Sequence, residues 1–189
     1  RELYSNDGEA AELRFEGERI LTGAILEVSD PGEKNVYFTV GHGEMSLDDT
    51  DRQRGLSELA SFCEVRNIET APIDLSRYES IPDSADVVVI AAPQAGFEAR
   101  DVEKLRRYLE KSDGSVVLFL EPFRRHNLDD LLFDWGILAE ESVIIDPGSD
   151  YQAASGHLIL RRFAEHPITQ SLVDNRLYVY SDRPSPVRM

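Results

Sequence analysis

The chain has 189 residues, 41% of them hydrophobic and 30% charged, a balance that excludes a disordered or fibrous protein and fits a globular one. Acidic residues outnumber basic ones 36 to 20, for a formal charge of −16. A nucleic-acid backbone or an anionic lipid surface asks for clustered Lys and Arg, so neither is expected as a partner. The single cysteine, Cys63, excludes an internal disulfide framework and a Cys-rich zinc site.

Short apolar runs alternate with helical patterns along the chain, which predicts a parallel sheet covered by helices. Ile20, Leu21, Ala24, Ile25 and Val28 fall on one face of a helix over 16–28, stopped by Asp30-Pro31-Gly32. A strand over 35–40 ends in Gly41-His42-Gly43-Glu44. The acidic loop of Asp48, Asp49 and Asp51 leads to a helix over 54–66, with Leu56, Leu59, Ala60 and Cys63 inward. A strand over 70–75 follows. The runs 86–92 and 115–120 read as strands buried on both faces, and between them a helix over 98–111 turns Val102, Leu105 and Leu109 inward. Asn127 is placed as the cap of a short helix whose apolar face is Leu128, Leu131, Leu132 and Trp135, closed by Gly136. Strands are expected over 142–145, 158–163 and 177–180, with a helix opening at Pro167 and a frayed end from Arg183. The division that follows is a single α/β domain, 1–189. It has a helix-containing lead-in (1–34), a strand–helix core (35–148) and a C-terminal extension (149–189). The fold class is a three-layer, open, mostly parallel sheet.

Ligands on such sheets bind beyond the carboxyl ends of the strands, where this chain carries His42, Gly43, Glu44, Gln94, Glu121 and Asp146. These residues form the candidate ligand site. A phosphate-cradling loop is excluded, because Gly41–Glu44 lacks the longer glycine pattern and its lysine. A metal held by His42 and Glu44 with Glu121 or Asp146 is one alternative, since carboxylates from separate strand ends can converge. The other is a tight turn in which the glycines permit unusual backbone angles and His42 hydrogen-bonds locally. His126 and His157 are expected at the surface, and His166-Pro167 at a helix entry. No cofactor and no resident metal are expected.

Taken in order, 15–25 (FEGERILTGAI), the strand ending in GHGE, Gly55-Leu56-Ser57, Ile81-Pro82, 86–93, Leu118–Pro122 and His166-Pro167-Ile168-Thr169 resemble the soluble domain of ABC-transporter auxiliary proteins of the gliding-motility GldG type. The resemblance spans nearly the whole chain. It implies a flavodoxin-like fold related to class I glutamine amidotransferase-like domains and to non-enzymatic domains of intraflagellar-transport proteins. It further implies an extracytoplasmic (periplasmic) domain of an inner-membrane-anchored protein, with the membrane segments outside this fragment. An ABC permease and ATPase are the implied partners. Such amidotransferases need an activated thiol on the turn after a strand, and the corresponding turn here reads Leu120-Glu121-Pro122. No catalytic residue is therefore assigned. The alternative is a small-molecule or metal-binding domain, or a hydrolase, using the cleft around His42, Glu44 and Glu121.

Overall fold

Residues 34–119 form a four-stranded parallel sheet because each apolar run is followed by a polar turn and a return segment. The computed structural model describes residues 4–6, 13–15, 34–52, 54–111, 113–145, 158–181 and 184–188. The helix expected over 16–28 lies outside them. The chain divides into two compact units, Arg1–Leu120 and Glu121–Met189.

In the first unit, β1 (Tyr4–Asn6) and β2 (Leu13–Phe15) form an antiparallel pair that three-residue strands do not announce in sequence. The sheet then takes β3 (Lys34–Thr39), β4 (Ile68–Ile73), β5 (Val87–Ala91) and β6 (Val116–Phe119) in the order β4-β3-β5-β6. Helix α1 (Ser57–Val65) joins β3 to β4, a 3-10 turn (Leu75–Arg77) lies between β4 and β5, and α2 (Ala99–Leu109) joins β5 to β6. The path runs one way from β3 to β4 and the opposite way from β4 through β5 to β6. Right-handed crossovers therefore place α1 on one face and the 3-10 turn with α2 on the other. Lys104 of α2 confirms the second pairing by donating from Nζ to the Leu75 carbonyl at 2.6 Å.

Alternation along β3 and β5 sends Phe38, Val89 and Ala91 to one face, where Val36, Met45, Leu47, Leu56 and Val87 pack on them. Val88 and Ile90 point the other way and are wholly buried, as is Leu105 of α2. The sheet register pairs Val89 with Val117 and Ala91 with Phe119. Those two β6 residues therefore belong to the first face, yet they are 41% and 59% exposed. This corrects the expectation that 115–120 is buried on both faces: among the described residues β6 is an edge strand, and it is half-covered. The strand expected at 70–75 runs instead from Ile68 to Ile73. Asn67, left-handed at φ 58°, ends α1 directly against it. At the far end Asp74 leaves the strand to accept from the Ser76 N–H and hydroxyl. Leu59 is exposed, and Tyr108 takes the inward place expected of Leu109, its hydroxyl donating to the Ala85 carbonyl at 3.1 Å.

The second unit is antiparallel. It contains α3 (Asp129–Asp134), β7 (Leu138–Ala139), β8 (Leu158–Leu160), α4 (Pro167–Asp174), β9 (Val179–Ser181) and β10 (Val187–Arg188), with β7 paired to β10 and β8 to β9. Asn127 does not cap α3. It takes φ 58°, and the His126 ring Nδ1 accepts the Leu128 N–H at 3.0 Å in its place. Gly136, at φ 71°, ends α3 as expected: its N–H bonds the Phe133 carbonyl and that of Ile137 the Leu132 carbonyl, the reciprocal pair of a Schellman stop. Trp135, placed inward by the helical pattern, is exposed. Residues 142–145 form no strand, although the Ile144 N–H reaches the Pro184 carbonyl at 2.8 Å. The tail expected to fray contains β10.

Replacing Leu105 with Ala, which empties a site without solvent contact, is expected to cost about 2–5 kcal/mol. Phe119→Ala, at an exposed site, should cost well under half as much. Urea unfolding of both variants checks the contrast.

Candidate functional site

Strand order reverses between β3 and β5, since the chain leaves β3 toward β4 and leaves β5 toward β6. The crevice beyond the carboxyl ends of those two strands is where an open α/β sheet takes a ligand. Two loops form it here, 40–45 after β3 and 92–97 after β5, and each is tied to the other by main-chain bonds. The His42 carbonyl accepts the N–H groups of Gln94 at 2.8 Å and Ala95 at 3.0 Å, and the Met45 N–H donates to the Ala91 carbonyl at 2.9 Å.

Glu44 anchors the first loop. Its carboxylate has no solvent exposure, and it accepts the His42 backbone N–H at 2.7 Å and meets the His42 ring Nδ1 at 3.2 Å. A buried carboxylate without donors is costly, so this two-residue return explains why Glu stands here. Gly41 and Gly43, at φ +115° and +74°, allow the chain to turn that tightly. A Cβ on Gly43 would lie 3.1 Å from the Gln94 Cβ. The His42 ring stacks on Phe97 at 3.9 Å and 26°. A carboxylate only accepts, so Nδ1 carries the hydrogen and the Nε2 edge is left for other partners. The side chain keeps 14% of its surface in solvent.

Of the expected site residues, His42, Gly43, Glu44 and Gln94 come together in the first unit. The Gln94 side-chain amide donates to the Ala92 carbonyl at 2.9 Å, supporting a loop in which Ala92 itself is left-handed at φ 51°. Glu121 opens the second unit, where its carboxylate stands 3.6 Å from Arg124 Nε. Asp146 and His157 lie outside the described residues. His126 is buried, against expectation, because its ring serves the α3 N-terminus. His166 is the N-cap of α4, accepting the Ile168 N–H at 3.2 Å ahead of Pro167, as its sequence context indicates. Among the described residues no group of three His, Cys, Asp or Glu side chains is placed to hold a metal.

Cys63 is buried on α1, and desolvation pushes its thiol pKa up, partly offset by Arg66. That environment does not favour a nucleophilic thiolate. Two features escaped the sequence reading. Phe97, the platform under His42, carries no local signal. Asp101, only 1% exposed, binds Lys104 Nζ at 2.8 Å, and its only trace is an acid and a base three apart on α2.

A family model described as ABC-type uncharacterized transport system matches residues 33–178. The chain belongs to this family. It is thus an auxiliary component of an ABC transport system, and the match takes in both loops of the crevice. No curated protein matches. Among solved structures, the mmIFT52 N-terminal domain is similar with a TM-score of 0.62 and 14% identity, over 82% of this chain and 68% of that one. At that identity the likeness is one of fold. No described helix is long and apolar enough to cross a membrane.

In this ABC-transport domain, Glu44→Ala should remove about 1–3 kcal/mol of stability, because the His42 N–H loses its acceptor in a dry site. Glu44→Gln keeps an acceptor oxygen and should lose less. Comparison of the two urea midpoints with wild type checks the ordering.

Proposed function

We propose that this chain is the non-enzymatic, extracytoplasmic domain of a GldG-type auxiliary protein, acting by protein–protein contact, with the permease and ATPase of the same transporter as partners of the full-length protein. The observation that carries the reading is the family match across 33–178. The sheet order supports a flavodoxin-like fold: numbered within the sheet it is 2-1-3-4, the order of that doubly wound class. Kinship with glutamine amidotransferase-like domains is proposed at the level of fold. The turn beyond β6 reads Leu120-Glu121-Pro122, and the thiol of the chain is buried elsewhere. A reading by contact also suits the crevice, whose two loops are tied to each other by main-chain bonds.

Affinity purification of the full-length protein from its own membranes is expected to bring down an ABC permease and ATPase. A topology reporter fused to this domain should report the extracytoplasmic side. Isolation without transporter subunits would remove the partner assignment, and a cytoplasmic report would remove the location.

One observation favours a second reading. The His42 ring is oriented by buried Glu44 and borders solvent at the strand-order reversal, an arrangement able to accept a hydrogen bond from a small ligand. Thermal-shift screening with sugars, nucleotides and divalent metals is expected to give no saturable stabilisation. A saturable rise in Tm that disappears in His42→Ala would put the ligand reading first.

A further inference from the structure

Three acidic residues of the first unit line one groove beside open backbone. A shallow groove of about 640 Å³ is lined by Ser57, Ala60, Ser61 and Glu64 of α1, by Leu47 and Asp48, and by 67–70 at the start of β4. The α1 residues stand at i, i+3, i+4 and i+7, one helical face, and three of them are small, which gives the groove its width. Along β4 successive side chains point to opposite faces. A groove that reaches four consecutive residues, Asn67 to Thr70, therefore meets the strand along its edge and not over one face.

That edge is open. β4 has one strand neighbour, β3, so among the described residues its outer side presents main-chain donors and acceptors to no strand. Pro72 offers no N–H and limits the usable edge to the first part of β4, consistent with proline on an edge strand. The charged residues of the lining are Asp48, Glu64 and Glu69, with no Lys, Arg or His among them, in a chain of net charge −16.

We propose that this groove receives a short, extended, Lys- or Arg-bearing segment of a partner protein, added as a strand along the outer edge of β4. Main-chain bonds to β4 supply the docking, as in other cases of strand addition. Salt links to Asp48, Glu64 and Glu69 select a basic segment over a neutral or acidic one. The proposal rests on the reading of this domain as one that works by protein contact, and it names the surface and the chemistry of what is bound.

Fluorescence anisotropy of a labelled ten-residue peptide of alternating Lys and Val, titrated with the whole chain, tests it. Saturable binding is expected, weakened at least tenfold by the double change Glu64→Gln and Glu69→Gln at exposed positions. A control double, Glu79→Gln with Glu165→Gln, removes the same charge elsewhere on the surface and should bind as wild type. The same peptide N-methylated at alternate residues should fail to bind, because it cannot complete a ladder. No binding of the Lys/Val peptide, equal weakening by both doubles, or undiminished binding of the methylated peptide would each overturn the proposal. Failure of the peptide while the full-length protein still co-purifies with transporter subunits would remove the groove and leave the transport reading standing.

Discussion

β3 and β5 are hydrogen-bonded neighbours although β4 separates them in the chain, and that one parallel pairing organises the first unit. It brings Phe38 against Val89 and Ala91, so the core of one face depends on it. It forces the chain to run outward in both directions, which assigns the helices to opposite faces. It also places two loops side by side at the carboxyl ends of the central strands. A slip of one residue in either strand would turn the buried side chains to the other face. The crevice therefore has no existence apart from the sheet's register.

Within that crevice, the chemistry is directed inward. The Glu44 carboxylate meets the ring and backbone of His42, and the His42 carbonyl meets the next loop. A group committed to holding a turn has less left for a substrate. What remains outward-facing is one edge of the imidazole. The Asp101–Lys104 pair reinforces the opposite side of the sheet, fastening α2 to the 3-10 turn through the Leu75 carbonyl.

The central strands and α2 were legible from sequence because buried parallel strands are continuous apolar runs, and 86–92 has no other good interpretation. β6 was misjudged since its run of Val116, Val117, Leu118 and Phe119 looks the same whether or not a layer covers it. Residues 121–188 were the least legible, their strands being of two or three residues and antiparallel. Their place at the carboxyl end of a strand singled out His42 and Glu44, and a local hydrogen bond of His42 was expected, but not that Glu44 is its partner. The role of His126 was hidden for a different reason: a ring accepting a main-chain N–H two residues on leaves no pattern distinct from a surface histidine. Glu121 stood out as an acid ending an apolar strand, and it proves to have Arg124 within reach.

The close approach of Gly43 to Gln94 couples two positions fifty residues apart in the chain. A side chain at 43 would meet both an unfavourable backbone angle and the stem of residue 94, so position 43 cannot drift without a change at 94. In any relative that carries something other than glycine at 43, residue 94 should be glycine or its loop displaced. Covariation between those two alignment columns would then record, in evolutionary history, how tightly the two rims have been kept together.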